Sequence, residues 1–198
     1  DAMAFYRSDK QMQALLGSLL DRLEADGRKN LRNSISITWI RYTKVNPSPH
    51  SGLGASWLAS KPVYPASVIK LIYAVATEAW LQKDLIPDSK ELRRALKAMI
   101  QHSSNDATGL IVDLLTGTSS GPSLTGESWQ SWKQQRDLIN QWLKELNWKE
   151  LNGMNCCQKT WEDGPYGRES DFYGNNNINR NSLTADGTAK ILEAVMTN

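Results

Sequence analysis

One segment of the chain is apolar on nearly every side, and it constrains the fold more than any other feature. Between about Ser67 and Gln82, apolar side chains occupy almost every face of the predicted helix: Ile69, Ile72, Tyr73, Val75, Ala76, Ala79 and Trp80. A helix that is apolar all round is stable only when other elements surround it. The chain must therefore contain a lobe that encloses this helix.

Amphipathic helices that could build such a lobe are predicted along the rest of the chain. Apolar residues recur at intervals of three and four near residues 87–100, 104–115, 127–146 and 185–196. An N-terminal helix begins at Ser8, which forms a capping-box pair with Gln11, and it ends at Gly27. Thr184 is the predicted cap of the last helix.

The sequence predicts only two strands. Ile35, Ile37 and Trp39 alternate with small polar residues, and residues 55–60 form a return strand after the turn at 46–54. We expect residues 1–62 to form the sheet-containing part and residues 63–198 the helical lobe, with a long irregular loop at about 147–183. A two-stranded ribbon is marginal in water, so the sheet is expected to need further strands.

The composition is that of a globular protein and excludes several functions. The 198 residues are 40% hydrophobic and 22% charged, with a net charge of +2, so nothing indicates nucleic acid or anionic lipid as a partner. No apolar run reaches the length of a membrane span, and residues 1–10 are too polar for a signal peptide. Cys156 and Cys157 are adjacent and are expected to be free thiols. With two histidines elsewhere in the sequence, no metal is expected.

Two short motifs carry residues suited to acyl transfer. Ser67 and Lys70 lie three residues apart at the start of the apolar helix, so hydroxyl and amine share one face. Burial lowers the pKa of a lysine, and such an amine can take the hydroxyl proton. Ser103 and Asn105 precede another helix, where Ser103 could relay a proton and Asn105 could bind an amide. Both motifs can also be read as ordinary helix caps with a surface lysine.

The combination of Ser67-x-x-Lys70 and Ser103-x-Asn105 resembles class A β-lactamases and their penicillin-binding-protein relatives. The resemblance implies a mixed α/β fold, in which an α+β sheet lobe accompanies an all-α lobe, and it implies no cofactor. It also implies that Ser67 attacks a β-lactam or a related amide, Lys70 activates it, Ser103 protonates the leaving nitrogen and Asn105 orients the substrate. A periplasmic or secreted location follows from the same resemblance.

Enzymes of this family use a loop glutamate as the base that hydrolyses the acyl-enzyme. Three carboxylates of this chain are candidates for that role. Glu169 is favoured by its distance from Arg180 along the chain, although the family pattern of Glu-x-x-x-Asn is absent. Asp171 has Asn175 four residues later, and this pair is predicted to bind substrate. Glu162 lies earlier in the loop.

The third motif of the family, Lys-Thr/Ser-Gly on a sheet strand, does not occur in the sequence. The sequence therefore leads us to expect a fragment, whose remaining strands and terminal helix come from a separate polypeptide. Other functions stay open: a D,D-peptidase or esterase, a non-catalytic binding protein on the same scaffold, an unrelated helical interaction domain, and a cysteine enzyme using His102.

Overall fold

The computed structural model describes residues 4–197 and has a mixed α/β fold that divides into two compact units. The first unit contains residues 4–63, 149–153 and 184–197, and the second contains residues 64–148 and 154–183. The sequence-based boundary at residue 62 lies within one residue of the structural one. The structure differs in assigning the short segment 149–153 and the last helix to the first unit rather than to the helical lobe.

The secondary structure is as follows. The strands are β1 (Tyr6–Ser8), β2 (Ile37–Arg41) and β3 (Gly52–Trp57). The α-helices are α1 (Lys10–Ala25), α2 (Leu31–Ser34), α3 (Ile69–Gln82), α4 (Lys90–Gln101), α5 (Asn105–Thr116), α6 (Gly126–Arg136), α7 (Leu138–Glu145), α8 (Arg168–Tyr173) and α9 (Ala185–Thr197). Single 3₁₀ turns cover Ala66–Val68, Lys149–Leu151 and Asn175–Asn177.

The sheet of the first unit has one more strand than the sequence predicts. Its order is β1-β3-β2, with β1 parallel and β2 antiparallel to the central β3. The return strand also begins at Gly52 rather than at residue 55, since its glycines resemble turn residues in sequence. Gly54 is needed within the strand, because a Cβ atom there would lie 2.7 Å from the carbonyl oxygen of Trp39.

The N-terminal helix α1 buries one face, as predicted, but its cap is different. Asp9 is the N-cap, and its carboxylate accepts a hydrogen bond of 2.9 Å from the backbone N–H of Met12. Ser8 cannot fill this role because its backbone belongs to β1. Met12, Leu16 and Leu20 are buried at four-residue spacing and form a core cluster with β3.

The second unit encloses α3, as its apolar composition requires. Ile69, Ile72 and Tyr73 have no exposed surface. Around this helix, the predicted helix at 127–146 is divided into α6 and α7, which meet at Asp137. The loop at about 147–183, here named the Ω-like loop, is less irregular than predicted because it contains α8 and two 3₁₀ turns.

Backbone hydrogen bonds and buried amides close the part of the Ω-like loop that belongs to the second unit. Asn155 and Ser182 exchange two backbone hydrogen bonds of 2.9 Å each. The side chain of Asn181 is buried and accepts from the backbone N–H groups of Cys157 at 3.1 Å and Gln158 at 2.9 Å. The ends of this loop are thereby held at fixed positions beside α3.

Candidate active site

Ser67 lies in the 3₁₀ turn that leads into α3, and Lys70 lies in the first turn of α3 itself. The Lys70 side-chain nitrogen, Nζ, is 3.2 Å from the hydroxyl oxygen of Ser67. Ser67 is exposed, whereas Lys70 is only 3% exposed. The sequence spacing therefore brings a reachable hydroxyl and a buried amine into hydrogen-bond contact.

The Lys70 amine has further oxygen neighbours, which determine how it can be protonated. It lies 2.6 Å from the backbone carbonyl of Ser103, 3.0 Å from the Ser103 hydroxyl and 2.8 Å from Oδ1 of Asn105. The backbone carbonyl of Ser103 and Oδ1 of Asn105 can only accept hydrogen bonds, so each takes one N–H group of the Lys70 amine. The remaining bonding position of the Lys70 nitrogen faces the hydroxyls of Ser67 and Ser103. A neutral amine can accept a proton there.

Burial lowers the pKa of Lys70 from its ordinary value of 10.5, because desolvation disfavours the ammonium form. The negative charge of Glu162 acts in the opposite direction and partly raises this pKa. The environment therefore increases the fraction of neutral amine near Ser67. That is the condition under which Lys70 can serve as a base.

Asn105 connects Lys70 to Glu162. Its Oδ1 accepts from Lys70, while its amide nitrogen Nδ2 donates to the Glu162 carboxylate at 3.1 Å. This orientation is the only one that satisfies both ends, since a rotated amide would place its NH₂ group against the Lys70 amine. The capping role at the start of α5 belongs to Ser104, whose hydroxyl accepts from the N–H of Ala107 at 3.1 Å.

Backbone strain is found at both segments that present the hydroxyl groups. Ala66, directly before Ser67, has φ of 45°, and Ser103 has φ of 53°. Left-handed conformations of non-glycine residues cost on the order of 1–3 kcal/mol each and persist where surrounding structure imposes them. Strain of this kind is often concentrated at active sites, and here it occurs at both hydroxyl-bearing segments.

Ser67 and Asn105 line a cavity of about 540 Å³ whose other walls come largely from the Ω-like loop. Gln158, Trp161 and Arg180 belong to that wall. The volume is within the range of roughly 300–1,000 Å³ that is typical of small-molecule sites. These three loop residues are not predictable from the sequence, because an aperiodic loop gives no signal for which side chains face a cavity.

The structure places Glu169, the predicted deacylating base, in a buried charge cluster rather than in the wall of this cavity. Its side chain is fully buried, and its carboxylate accepts two hydrogen bonds from Arg136, at 2.7 and 2.8 Å. Ser120 donates to it at 2.9 Å, and Lys159 is 3.5 Å away. This carboxylate is therefore engaged by Arg136 and Ser120, whereas a loop base was expected beside Ser67.

The predicted substrate-binding pair is also found elsewhere. Asp171 lies on α8 and Asn175 in the following 3₁₀ turn, and both side chains are exposed. Neither lines the cavity that contains Ser67. By contrast, Glu162 is the loop carboxylate that contacts Asn105. The structure therefore brings together Ser67, Lys70, Ser103, Asn105 and Glu162.

Comparisons with protein-family models, with curated proteins and with solved structures found no match to this chain. Within residues 4–197, no group of three or more His, Cys, Asp or Glu side chains is arranged to hold a metal ion. Over the same residues, no helix combines the length and apolar character needed to cross a bilayer.

Proposed function

We propose that this chain carries the site of a serine hydrolase that acts on β-lactams or related amides through an acyl-enzyme on Ser67. One observation carries the proposal: the Lys70 amine is within 3.2 Å of the Ser67 and Ser103 hydroxyls and of the Asn105 amide. This arrangement supports the β-lactamase-like chemistry that the two sequence motifs imply.

In the acylation step, the oxygen of Ser67 forms a bond to the substrate carbonyl carbon while its proton passes to the neutral Lys70 amine. The bond between that carbon and the amide nitrogen then breaks. The departing nitrogen takes a proton from the Ser103 hydroxyl, which is 3.0 Å from Lys70 and regains a proton from it. Lys70 therefore ends the step neutral.

In the deacylation step, a water molecule attacks the acyl carbon and gives a proton to a carboxylate base. The bond from that carbon to the Ser67 oxygen then breaks, and this oxygen takes a proton back, so that the Ser67 hydroxyl and the carboxylate base are restored to their starting forms. We assign the acceptance of the water proton to Glu162, in place of Glu169. Glu162 is held by Asn105, a residue that lines the cavity with Ser67. Glu169 is the weaker candidate, because protonating it would remove a buried partner of Arg136.

The test uses a fluorescent penicillin and a chromogenic cephalosporin on the intact protein. Mass spectrometry should show one acyl adduct on wild-type protein and none on Ser67→Ala. Ser128→Ala removes a hydroxyl from an exposed position of α6 and serves as the matched control. Wild-type protein that shows neither an adduct nor hydrolysis of the cephalosporin would contradict the proposal, and so would an adduct that persists in Ser67→Ala.

A D,D-peptidase- or esterase-like enzyme is the second candidate, and the surroundings of Glu162 favour it. Glu162 is exposed, and the residue four positions later is the exposed Tyr166 rather than the asparagine of the β-lactamase pattern. A weakly held base would deacylate slowly. The time course of the adduct separates the candidates: release within seconds indicates a β-lactamase, and persistence for many minutes indicates the peptidase-like enzyme.

A further inference from the structure

Arg180 is a cation in the cavity wall, and no carboxylate of residues 4–197 lies beside it. The other charged residue of that wall, Lys159, donates to Asp113 at 2.6 Å and is 3.5 Å from Glu169. For Arg180, no Asp or Glu oxygen within the described part of the chain lies within 4.0 Å. Its guanidinium lies 3.3 Å above the ring of Tyr64, which orients the group without neutralising it.

Polar atoms without partners belong to the same wall. Gln158 is only 1% exposed, and its Nε2 donates to the carbonyl of Asn179 at 3.0 Å, which fixes the orientation of the amide. Its Oε1 then has no hydrogen-bond partner among the described residues. Nε1 of Trp161 and Nε of Arg180 are likewise buried and have no partner within residues 4–197. Burying such groups without hydrogen bonds is unfavourable, so a ligand that satisfies them gains affinity.

We propose that Arg180, Trp161 and Gln158 form a subsite for a carboxylate carried by the substrate, a specificity that rests on the proposed function. The carboxylate accepts from the N–H groups of Arg180 and Trp161. An amide N–H next to it donates to Oε1 of Gln158. The preferred substrate is therefore an amide whose acyl group bears a negative charge.

The position of the cavity relative to the hydroxyl groups indicates which end of the substrate the subsite contacts. Ser103, assigned to protonate the leaving nitrogen, does not line the cavity, whereas Asn105 does. The cavity therefore extends from Ser67 toward the acyl side of the scissile bond. The carboxylate that Arg180 recognises belongs to the acyl group rather than to the leaving group.

The experiment compares benzylpenicillin with α-carboxybenzylpenicillin, which differ by one carboxylate on the acyl side chain. Calorimetry on Ser67→Ala measures binding without acylation. We expect α-carboxybenzylpenicillin to bind roughly tenfold more tightly, as for a hydrogen bond to a charged group. Adding Arg180→Gln should abolish this preference, and adding Trp161→Phe, which removes only the N–H, should reduce it several-fold.

Lys97→Gln is the matched control, because it removes one positive charge from an exposed position of α4. It should retain the full tenfold preference, and a thermal melt confirms that each variant is folded. The subsite is overturned if Ser67→Ala binds the two penicillins equally or binds neither at millimolar concentration. It is also overturned if the preference survives Arg180→Gln. Failure of the proposed function is a separate result: wild-type protein then shows neither an adduct nor cephalosporin hydrolysis, whatever the ratio of the two binding constants.

Discussion

Replacing Glu169 with glutamine should destabilise the protein severely, without directly removing a catalytic group. The Glu169 carboxylate lies between two buried cations, Arg136 and Lys159, and Asp113 is the second anion of this cluster. The cluster has two positive and two negative charges and is therefore neutral. Glu169→Gln leaves a net positive charge in a position where Arg136 has no exposed surface.

The magnitude follows from the contacts that the substitution removes. Arg136 loses its bidentate, charge-assisted contact with the Glu169 carboxylate, whose two hydrogen bonds measure 2.7 and 2.8 Å. The attraction between this carboxylate and the Lys159 amine, 3.5 Å away, is also lost. Removing one partner of a buried ion pair costs about 3–5 kcal/mol, because the other charge remains buried. For a chain of this size that corresponds to a decrease in Tm of roughly 6–20 °C.

Urea unfolding followed by tryptophan fluorescence measures this free energy, and two other variants test its cause. Glu91→Gln disrupts an exposed pair with Arg94 and should leave the transition unchanged within error. The double variant Arg136→Met/Glu169→Leu keeps the Lys159–Asp113 pair and should recover most of the loss, since matched apolar replacement of both partners is tolerated. A loss below about 1 kcal/mol in Glu169→Gln would refute the charge argument.

Two further outcomes test the site and the thiols. Glu162→Gln should shift the pH profile of Ser67 acylation to lower pH. Glu162 raises the pKa of Lys70, so its removal allows burial to lower that pKa further. Acylation rates are measured by intact mass at a series of pH values, with the exposed Asp163→Asn as the control. A shift to higher pH would contradict this electrostatic reasoning. Cys156 and Cys157 should not react with a thiol reagent at pH 8 until the protein is unfolded, because burial raises both pKa values, that of Cys157 to about 12. Stoichiometric reaction of the folded protein would refute this.

Local pattern was sufficient to predict helix α3 and the contact between Ser67 and Lys70. Residues three apart on a helix share a face, so Ser67 and Lys70 had to meet once α3 formed. The composition of α3 predicted that Lys70 would be buried, and it is. Ser103 and Asn105 were found as a motif, but their contacts with Lys70 depend on how α5 packs against α3, which spacing along the chain does not encode.

Long-range partners account for the features that local sequence pattern did not predict. The strand β1 has three residues and no alternation, and it exists because it pairs with β3, more than forty positions later. The position of Glu169 depends on Arg136, which lies 33 positions earlier in the sequence. Nothing near Glu169 in the sequence indicates such a partner, so its carboxylate appeared as available as that of Glu162.

Lys159 belongs both to the buried charge cluster and to the wall of the cavity. The cluster therefore holds this part of the Ω-like loop in position. The Lys159 side chain lines the cavity, while its amine donates to Asp113 at 2.6 Å and to Ser120 at 2.8 Å. Gln158 and Trp161 are its near neighbours along the chain, so the cluster also determines where these cavity residues lie. A variant that disrupts the cluster should therefore weaken the carboxylate preference even though Arg180 is intact, because the subsite requires the position of the loop as well as its charge.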